Sequence, residues 1–109
     1  MDGELHEEIL NVGLDLAMEF GEDWLQPIQT RLTILFPALS RDELDAYNEL
    51  CRKAMFFGHD QVVRSIQEGP SDQAGQFQNF RAAVLAEYPW VADGNLRRLF
   101  SQGYYYAMK

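Results

Sequence analysis

The sequence predicts an all-α protein, a single-domain bundle of five or six short helices. Three observations favour this fold class. Apolar residues recur at steps of three and four, which places them on one face of a helix. Glycine and proline interrupt these runs at intervals typical of short helices. No segment alternates apolar and polar residues over the length of a strand. The 109 residues suffice for one domain, 1–109, and no linker divides them.

The first two helices are predicted from apolar spacing and from one proline. A helix over roughly 3–20 carries an apolar face made of Leu5, Ile9, Val12, Leu16 and Phe20. The second helix is expected to begin between Asp23 and Gln26, because Pro27 is tolerated only in a first turn. Its inner face is expected to comprise Ile28, Leu32, Leu35 and Phe36, and Pro37 ends it.

The middle of the chain begins with a clear helix start. Ser40 and Glu43 form a capping box, in which each side chain accepts a hydrogen bond from the other residue's backbone amide. The following helix buries Leu44, Tyr47, Leu50, Cys51, Ala54 and Phe57. Gly58 could then break it, with Asp60 capping a shorter helix that carries Val62, Val63 and Ile66. The pattern over residues 41–67 fits one helix or two.

The last two helices follow a turn at Gly69 and Pro70. Ser71 is the predicted cap of a helix whose inner residues are Phe77, Phe80, Ala83 or Val84, and Tyr88. Pro89 follows the end of this helix. Asp93 is the predicted cap of the last helix, whose inner residues are Leu96, Leu99, Phe100, Gly103 and Ala107.

The negative charge of the protein is concentrated at one end of the sequence. Seventeen acidic and nine basic residues give a formal net charge of −8. Eight acidic residues precede Arg31, the first basic residue, and the remaining nine balance the nine basic ones, so the excess lies in residues 1–23. On a helix, Glu4, Glu8, Asp15 and Glu19 fall within an arc of about 60°. This stripe could dock a basic partner, unless arginines from other helices cover it.

Two further surfaces are predicted to bind a partner. Leu10, Leu14 and Met18 widen the apolar face of the first helix, which is therefore either central in the bundle or shared with a second copy in a homodimer. Near the C-terminus, three consecutive tyrosines cannot all face one core. Tyr105 lies two helical turns after Arg98, and aromatic and arginine residues are common interface anchors. The alternative is that Tyr105 is simply an exposed amphipathic side chain.

Several classes of function lack support in the sequence. No Cys-x-x-Cys, His-x-x-x-His or Glu-x-x-His spacing occurs, so we predict no metal ligands. Phosphate-binding glycine loops and nucleophile elbows are also absent, so we predict no cofactor and no catalytic residue. The acidic balance and the lack of a basic groove argue against nucleic acid.

Apolar runs such as 54–57 and 82–86 have at most five residues, far fewer than the roughly 20 of a membrane-spanning helix, so no membrane interaction is expected. Because Cys51 is the single cysteine and no secretory signal is recognisable, we expect a cytoplasmic location.

These observations favour a non-catalytic, self-associating protein–protein interaction module whose acidic first helix docks a basic partner. Small acidic proteins that neutralise a basic target, of the immunity or antitoxin type, are one analogy based on charge and size. Two alternatives remain open. One is a small enzyme or ligand-binding bundle with a pocket near Tyr47, Cys51 and His59, and the other is a structural subunit of a larger complex.

Overall fold

The computed structural model describes residues 5–19 and 27–108, which form five helices and no strand within those ranges. The helices are α1 (Glu7–Ala17), α2 (Gln29–Leu35), α3 (Arg41–Glu68), α4 (Gln73–Glu87) and α5 (Asp93–Ala107). The prediction of an all-α bundle is confirmed.

Helix α3 is one continuous helix of 28 residues, and this settles the alternative left open by the sequence. It begins at the predicted capping box: the Glu43 amide donates to Ser40 Oγ at 3.1 Å, and the Ser40 amide donates to Glu43 Oε1 at 2.7 Å. The predicted cap role of Asp60 is wrong, because its carboxylate accepts from Arg64 one turn later on the exposed side. At 1.5 Å per residue α3 is about 42 Å long, close to the 46 Å long dimension of the molecule.

Helix α1 packs beside the N-terminal half of α3 and runs in the same direction. The His6 amide donates to the Tyr47 hydroxyl at 3.0 Å, and the Cys51 thiol donates to the Leu10 carbonyl at 3.3 Å. The described helix covers Glu7–Ala17 and is thus shorter than the predicted 3–20, part of which lies outside the described residues.

Helix α5 packs on the C-terminal half of α3, again in parallel. Gly58 lies against Leu99 and Gly103 lies against Val62, so that the backbones of α3 and α5 approach closely. Gly58 is therefore a packing residue rather than a break. The predicted inner residues of α5 are buried except for Ala107, which is exposed.

Asn11 of α1 fixes the start of α5. Its Nδ2 donates to the Trp90 carbonyl at 2.8 Å, while its Oδ1 accepts from the Ala92 amide at 2.8 Å and from Asn95 Nδ2 at 3.0 Å. The N-cap of α5 is Ala92, so the predicted cap role of Asp93 is wrong. Asp93 is the first helical residue and accepts from Arg97.

Helix α2 packs antiparallel to the start of α3. The Ile28 amide donates to Asn48 Oδ1, and Gln29 Nε2 donates to Asp45 Oδ1, both at 3.0 Å. The helix begins at Gln29 rather than at residues 23–26, so that Pro27 precedes it and residues 20–26 lie outside the described part. Ile28 and Leu32 are buried as predicted, Phe36 is half-buried and Leu35 is exposed.

Helix α4 returns along the C-terminal half of α3. Its N-cap is Asp72 rather than the predicted Ser71, because the Gly75 amide donates to Asp72 Oδ2 at 2.8 Å. Phe80 and Val84 are fully buried, as the spacing predicts. The ring of Phe80 lies 5.3 Å from that of Phe100, which joins α4 to α5.

Candidate docking surfaces

Two of the four predicted docking carboxylates form ion pairs within the chain. Arg98 of α5 donates to Asp15, and Arg31 of α2 donates to Glu19 Oε1 at 2.7 Å. Arginines from other helices thus lie over the C-terminal part of the predicted acidic stripe. Glu8 is exposed and forms no ion pair with another described residue, and Glu4 lies outside the described residues.

The unneutralised carboxylates of α1 lie at the same level along the molecule as a second group of carboxylates, on α3. The bond from the His6 amide to Tyr47 places the first turn of α1 next to the second turn of α3. The carboxylates in these turns of α1 and α3 are all exposed. Those of α3 lie within about 8 Å of Tyr47 along the helix axis. We call this group the acidic end; it comprises Glu7, Glu8, Asp42, Glu43, Asp45 and Glu49.

The contribution of α3 to the acidic end was not predicted from the sequence. Counted along the chain, the acidic residues after residue 23 are balanced by basic ones, but most of those basic residues come later in the sequence. The sequence does contain a local excess of acidic residues at this point. Between positions 32 and 51 the only basic residue is Arg41, whereas the acidic residues are Asp42, Glu43, Asp45 and Glu49.

The broad apolar face of α1 belongs to the protein's own core. Leu10 is 3% exposed, and Leu14 and Met18 are fully buried. The structure therefore supports a central first helix rather than one shared with a second copy. These three residues, expected to bind a partner, are corrected to core residues.

The C-terminal tyrosines divide between core and surface. Tyr104 packs against Phe100 with ring centroids 5.5 Å apart, whereas Tyr105 and Tyr106 are exposed and stack edge to face on each other at 5.5 Å. Arg98 is paired with Asp15 on α1. Tyr105 is thus a surface residue, as predicted, and Arg98 serves the contact between α1 and α5.

Two of the three residues expected to line a pocket, Tyr47 and Cys51, are buried in the contact between α1 and α3. Tyr47 accepts from the His6 amide and Cys51 donates to the Leu10 carbonyl. Burial raises the pKa of the Cys51 thiol to about 12, which leaves the unreactive thiol form at neutral pH. Because α3 is continuous, Cys51 and His59 are about 12 Å apart along its axis, too far for a Cys–His pair.

His59 contributes to the packing between α3 and α5. Its Nε2 lies 3.0 Å from Gln102 Oε1, and Gln102 Nε2 donates to the Met18 carbonyl at 2.7 Å. Burial lowers the pKa of His59, while the hydrogen bond to Gln102 opposes that shift. This chain of hydrogen bonds links α1, α3 and α5 and supports a structural role for His59.

A surface cleft of about 480 Å³ lies between α4 and α5, away from these residues. Phe77 and Phe100 line it, and the Arg97 guanidinium lies 5.3 Å from the Phe77 ring centroid. Arg97 is also paired with Asp93 at 2.9 Å. The cleft therefore offers an aromatic surface whose one charged lining residue is already neutralised.

An exposed apolar surface that was not predicted from the sequence lies between α2 and α3. Ile34 is 73% exposed and Leu35 is 56% exposed, and Pro37 and Ala38 in the following turn are also exposed. We call this surface the α2–α3 corner. It comprises Ile34, Leu35, Pro37 and Ala38.

Within the described ranges, no three His, Cys, Asp or Glu side chains are grouped so that they could hold a metal ion. None of the described helices has the length and apolar character needed to cross a membrane. Comparison of the chain with protein-family models, curated proteins and solved structures finds no match.

Proposed function

We propose that the protein is a non-catalytic protein–protein interaction module whose acidic end docks a basic partner. One observation carries this proposal: six exposed carboxylates lie at one end of the molecule, at the level of the first turns of α1 and α3. Among the described residues, the only ion pair that any of them makes is the one from Glu49 to Lys53, at 3.3 Å.

The chemistry of the acidic end suits docking. Glu7 and Glu8 lie in the first turn of α1, where the helix dipole favours negative charge, so both carboxylates are held there at little cost in stability. A cluster of one sign raises the local concentration of an oppositely charged partner and speeds association by roughly 10- to 1,000-fold at low salt. Rim charges of this kind act mainly on the association rate.

The reactive side chains give less support to an enzyme. Cys51 is buried as a thiol, Tyr47 is fully buried against α1, and His59 is bonded to Gln102. The single cysteine, Cys51, is a free thiol buried in the core, so the fold does not depend on a disulfide. A protein of this kind suits a reducing compartment such as the cytoplasm.

A charge-reversal capture experiment tests this proposal. The wild-type chain is immobilised beside the variant Glu7→Lys/Glu8→Lys and the control Glu68→Lys/Glu87→Lys, and proteins retained from a cell lysate are identified by mass spectrometry. The control residues are exposed, unpaired with other described residues and outside the acidic end, and both variants change the net charge equally. Circular dichroism of all three proteins verifies that the helices are retained.

We expect a basic protein to be retained by the wild type and the control, and retained at least about tenfold less by Glu7→Lys/Glu8→Lys. Its binding should weaken as salt is added, because exposed charges are screened. Equal retention by both variants would refute docking at the acidic end.

A further inference from the structure

The α2–α3 corner leaves apolar side chains uncovered at the C-terminal end of α2. Ile34 is 73% exposed and Leu35 is 56% exposed, and the exposed Pro37 and Ala38 continue this surface into the following turn. Single exposed apolar residues are ordinary, whereas a continuous group of them marks a contact site more often. The corner alone is far smaller than the about 800 Å² per partner of a standard interface, so a protein that covers it must also contact the groups beside it.

A surface groove connects the corner with the acidic end. It has a volume of about 340 Å³, with Thr30 and Thr33 of α2 on one side and Arg41 and Asp45 of α3 on the other. Ile34 lies one helical turn after Thr30 and therefore on the same side of α2. The corner thus shares a groove with the first turns of α3, which belong to the acidic end.

The exposed charge on the α3 side of this groove is mostly negative. Residues 32–51 contain four acidic residues and a single basic one, Arg41. In the first turn of α3, Asp42 and Glu43 already outnumber it, and all three side chains are exposed. A protein that covers the corner therefore meets an excess of carboxylates, which attracts cationic side chains and repels acidic ones.

The hydrogen bonds of two of these carboxylates leave their charge in place. Glu43 Oε1 accepts from the Ser40 amide at 2.7 Å, and Asp45 Oδ1 accepts from Gln29 Nε2 at 3.0 Å. Both donors are neutral, so neither carboxylate is compensated by them. Each keeps a second oxygen with which it can accept from a lysine or arginine of a partner.

As an extension that rests on the proposed function, we propose that the basic partner is amphipathic. Its apolar side chains pack on the α2–α3 corner, and its neighbouring lysines or arginines face the carboxylates of α3. The apolar contact supplies affinity, while the charged contact fixes the orientation and speeds association. Because salt screens only the charged contact, such a partner keeps part of its affinity at high salt.

Two synthetic peptides serve as probes of this chemistry. Both contain the same number of lysines; one carries leucines at helical spacing, and the other carries serines in their place. Isothermal titration calorimetry measures the affinity of each for the purified chain. The wild type should bind the leucine–lysine peptide at least about tenfold more tightly, because burying one large apolar side chain accounts for about that factor.

Substitutions at the corner should remove this preference. Ile34→Gln/Leu35→Gln should weaken binding of the leucine–lysine peptide about tenfold and leave binding of the serine–lysine peptide unchanged. Met108→Gln is the matched control, because Met108 is 62% exposed on the last turn of α5, away from the corner, and its charge is likewise unchanged. It should alter the binding of neither peptide. Circular dichroism verifies the fold of each variant.

A further variant tests whether the peptide lies beside the first turn of α3. Arg41→Gln removes the one positive charge of this turn, so it should strengthen the binding of both peptides by about two- to fivefold. Unchanged or weaker binding by this variant would contradict the proposed position of the lysines.

The outcomes separate this extension from the docking on which it rests. Equal affinity of the wild type for the two peptides would overturn the amphipathic partner and leave docking at the acidic end intact. Equal losses in Ile34→Gln/Leu35→Gln and Met108→Gln would do the same. If neither peptide binds, or if Glu7→Lys/Glu8→Lys binds both as tightly as the wild type, docking at the acidic end is itself refuted.

Discussion

Replacing Gly58 by alanine should destabilise the protein, although alanine is the better helix former. Gly58 lies inside α3, where propensity alone would make the alanine variant more stable by about 1 kcal/mol. A Cβ at this position, however, would lie 2.3 Å from Leu99 Cδ2 and 2.8 Å from Leu99 Cγ. Leu99 is fully buried in the core and cannot move into solvent.

The packing penalty should exceed the propensity gain. Overpacking a core costs about 1–3 kcal/mol, and contacts this short at a branched, buried side chain belong at or above the upper end. After the gain of about 1 kcal/mol from propensity, we expect Gly58→Ala to lower the free energy of unfolding by about 2 kcal/mol.

Urea unfolding monitored by circular dichroism measures this loss. The control is Gly94→Ala in α5, where nothing beyond the neighbouring residues and backbone of the same helix lies within 4 Å of the added Cβ, so the variant should be as stable as the wild type or more so. Leu99→Ala alone should cost about 2–5 kcal/mol. The double variant Gly58→Ala/Leu99→Ala should lose less than the two single losses together, because the alanine methyl fills space that Leu99 vacates. A Gly58→Ala variant more stable than the wild type would refute the close packing of α3 and α5.

Three further predictions concern Cys51, His59 and the start of α4. Because burial raises the pKa of the Cys51 thiol to about 12, iodoacetamide should label it only as fast as the protein unfolds; rapid labelling of the folded protein, detected by mass spectrometry, would contradict this. Burial lowers the pKa of His59 below its ordinary 6.5, so the unfolded chain binds the proton more tightly. The free energy of unfolding should therefore fall as the pH drops below 6.5. In urea unfolding, the His59→Gln variant should lose the share of this pH dependence that comes from His59. A variant with the same pH profile as the wild type would contradict the prediction. Asp72→Ala should lower the free energy of unfolding by about 1 kcal/mol, measured by thermal unfolding. Ser71→Ala should change it by no more than about 0.5 kcal/mol. Equal losses in the two variants would contradict the assignment of Asp72 as the N-cap.

The features of the fold that could be predicted from the sequence depend on residues that are close together along the chain. The capping box joins Ser40 and Glu43, three positions apart, so its geometry follows from the helix start alone. The role of Gly58 could not be predicted, because a helix break and a close helix contact look the same in the sequence. Leu99 of α5, distant in the chain, decides between them.

The inner face of α2 shows the limit of apolar spacing. The spacing places Leu35 on the same face as Ile28 and Leu32, but α2 has only seven residues and no described helix covers its last turn. Leu35 is therefore exposed. Spacing tells which residues share a face, whereas the neighbouring helices determine how much of that face is buried.

The residues of the proposed docking surface could be predicted only in part, for the same reason. Helical spacing correctly placed Glu8 on the exposed side of α1. It could not show that Arg98, 83 residues after Asp15, would neutralise that carboxylate. Nor could it show that the bond from His6 to Tyr47, across 41 residues, would bring the acidic start of α3 beside α1.

The central claim is that the acidic end, rather than the overall negative charge, recruits a basic partner. The most direct measurement is the ratio of captured basic protein between the control Glu68→Lys/Glu87→Lys and the variant Glu7→Lys/Glu8→Lys. Since their net charges are equal, position alone distinguishes them. We predict a ratio of at least about ten. A ratio near one would contradict the claim.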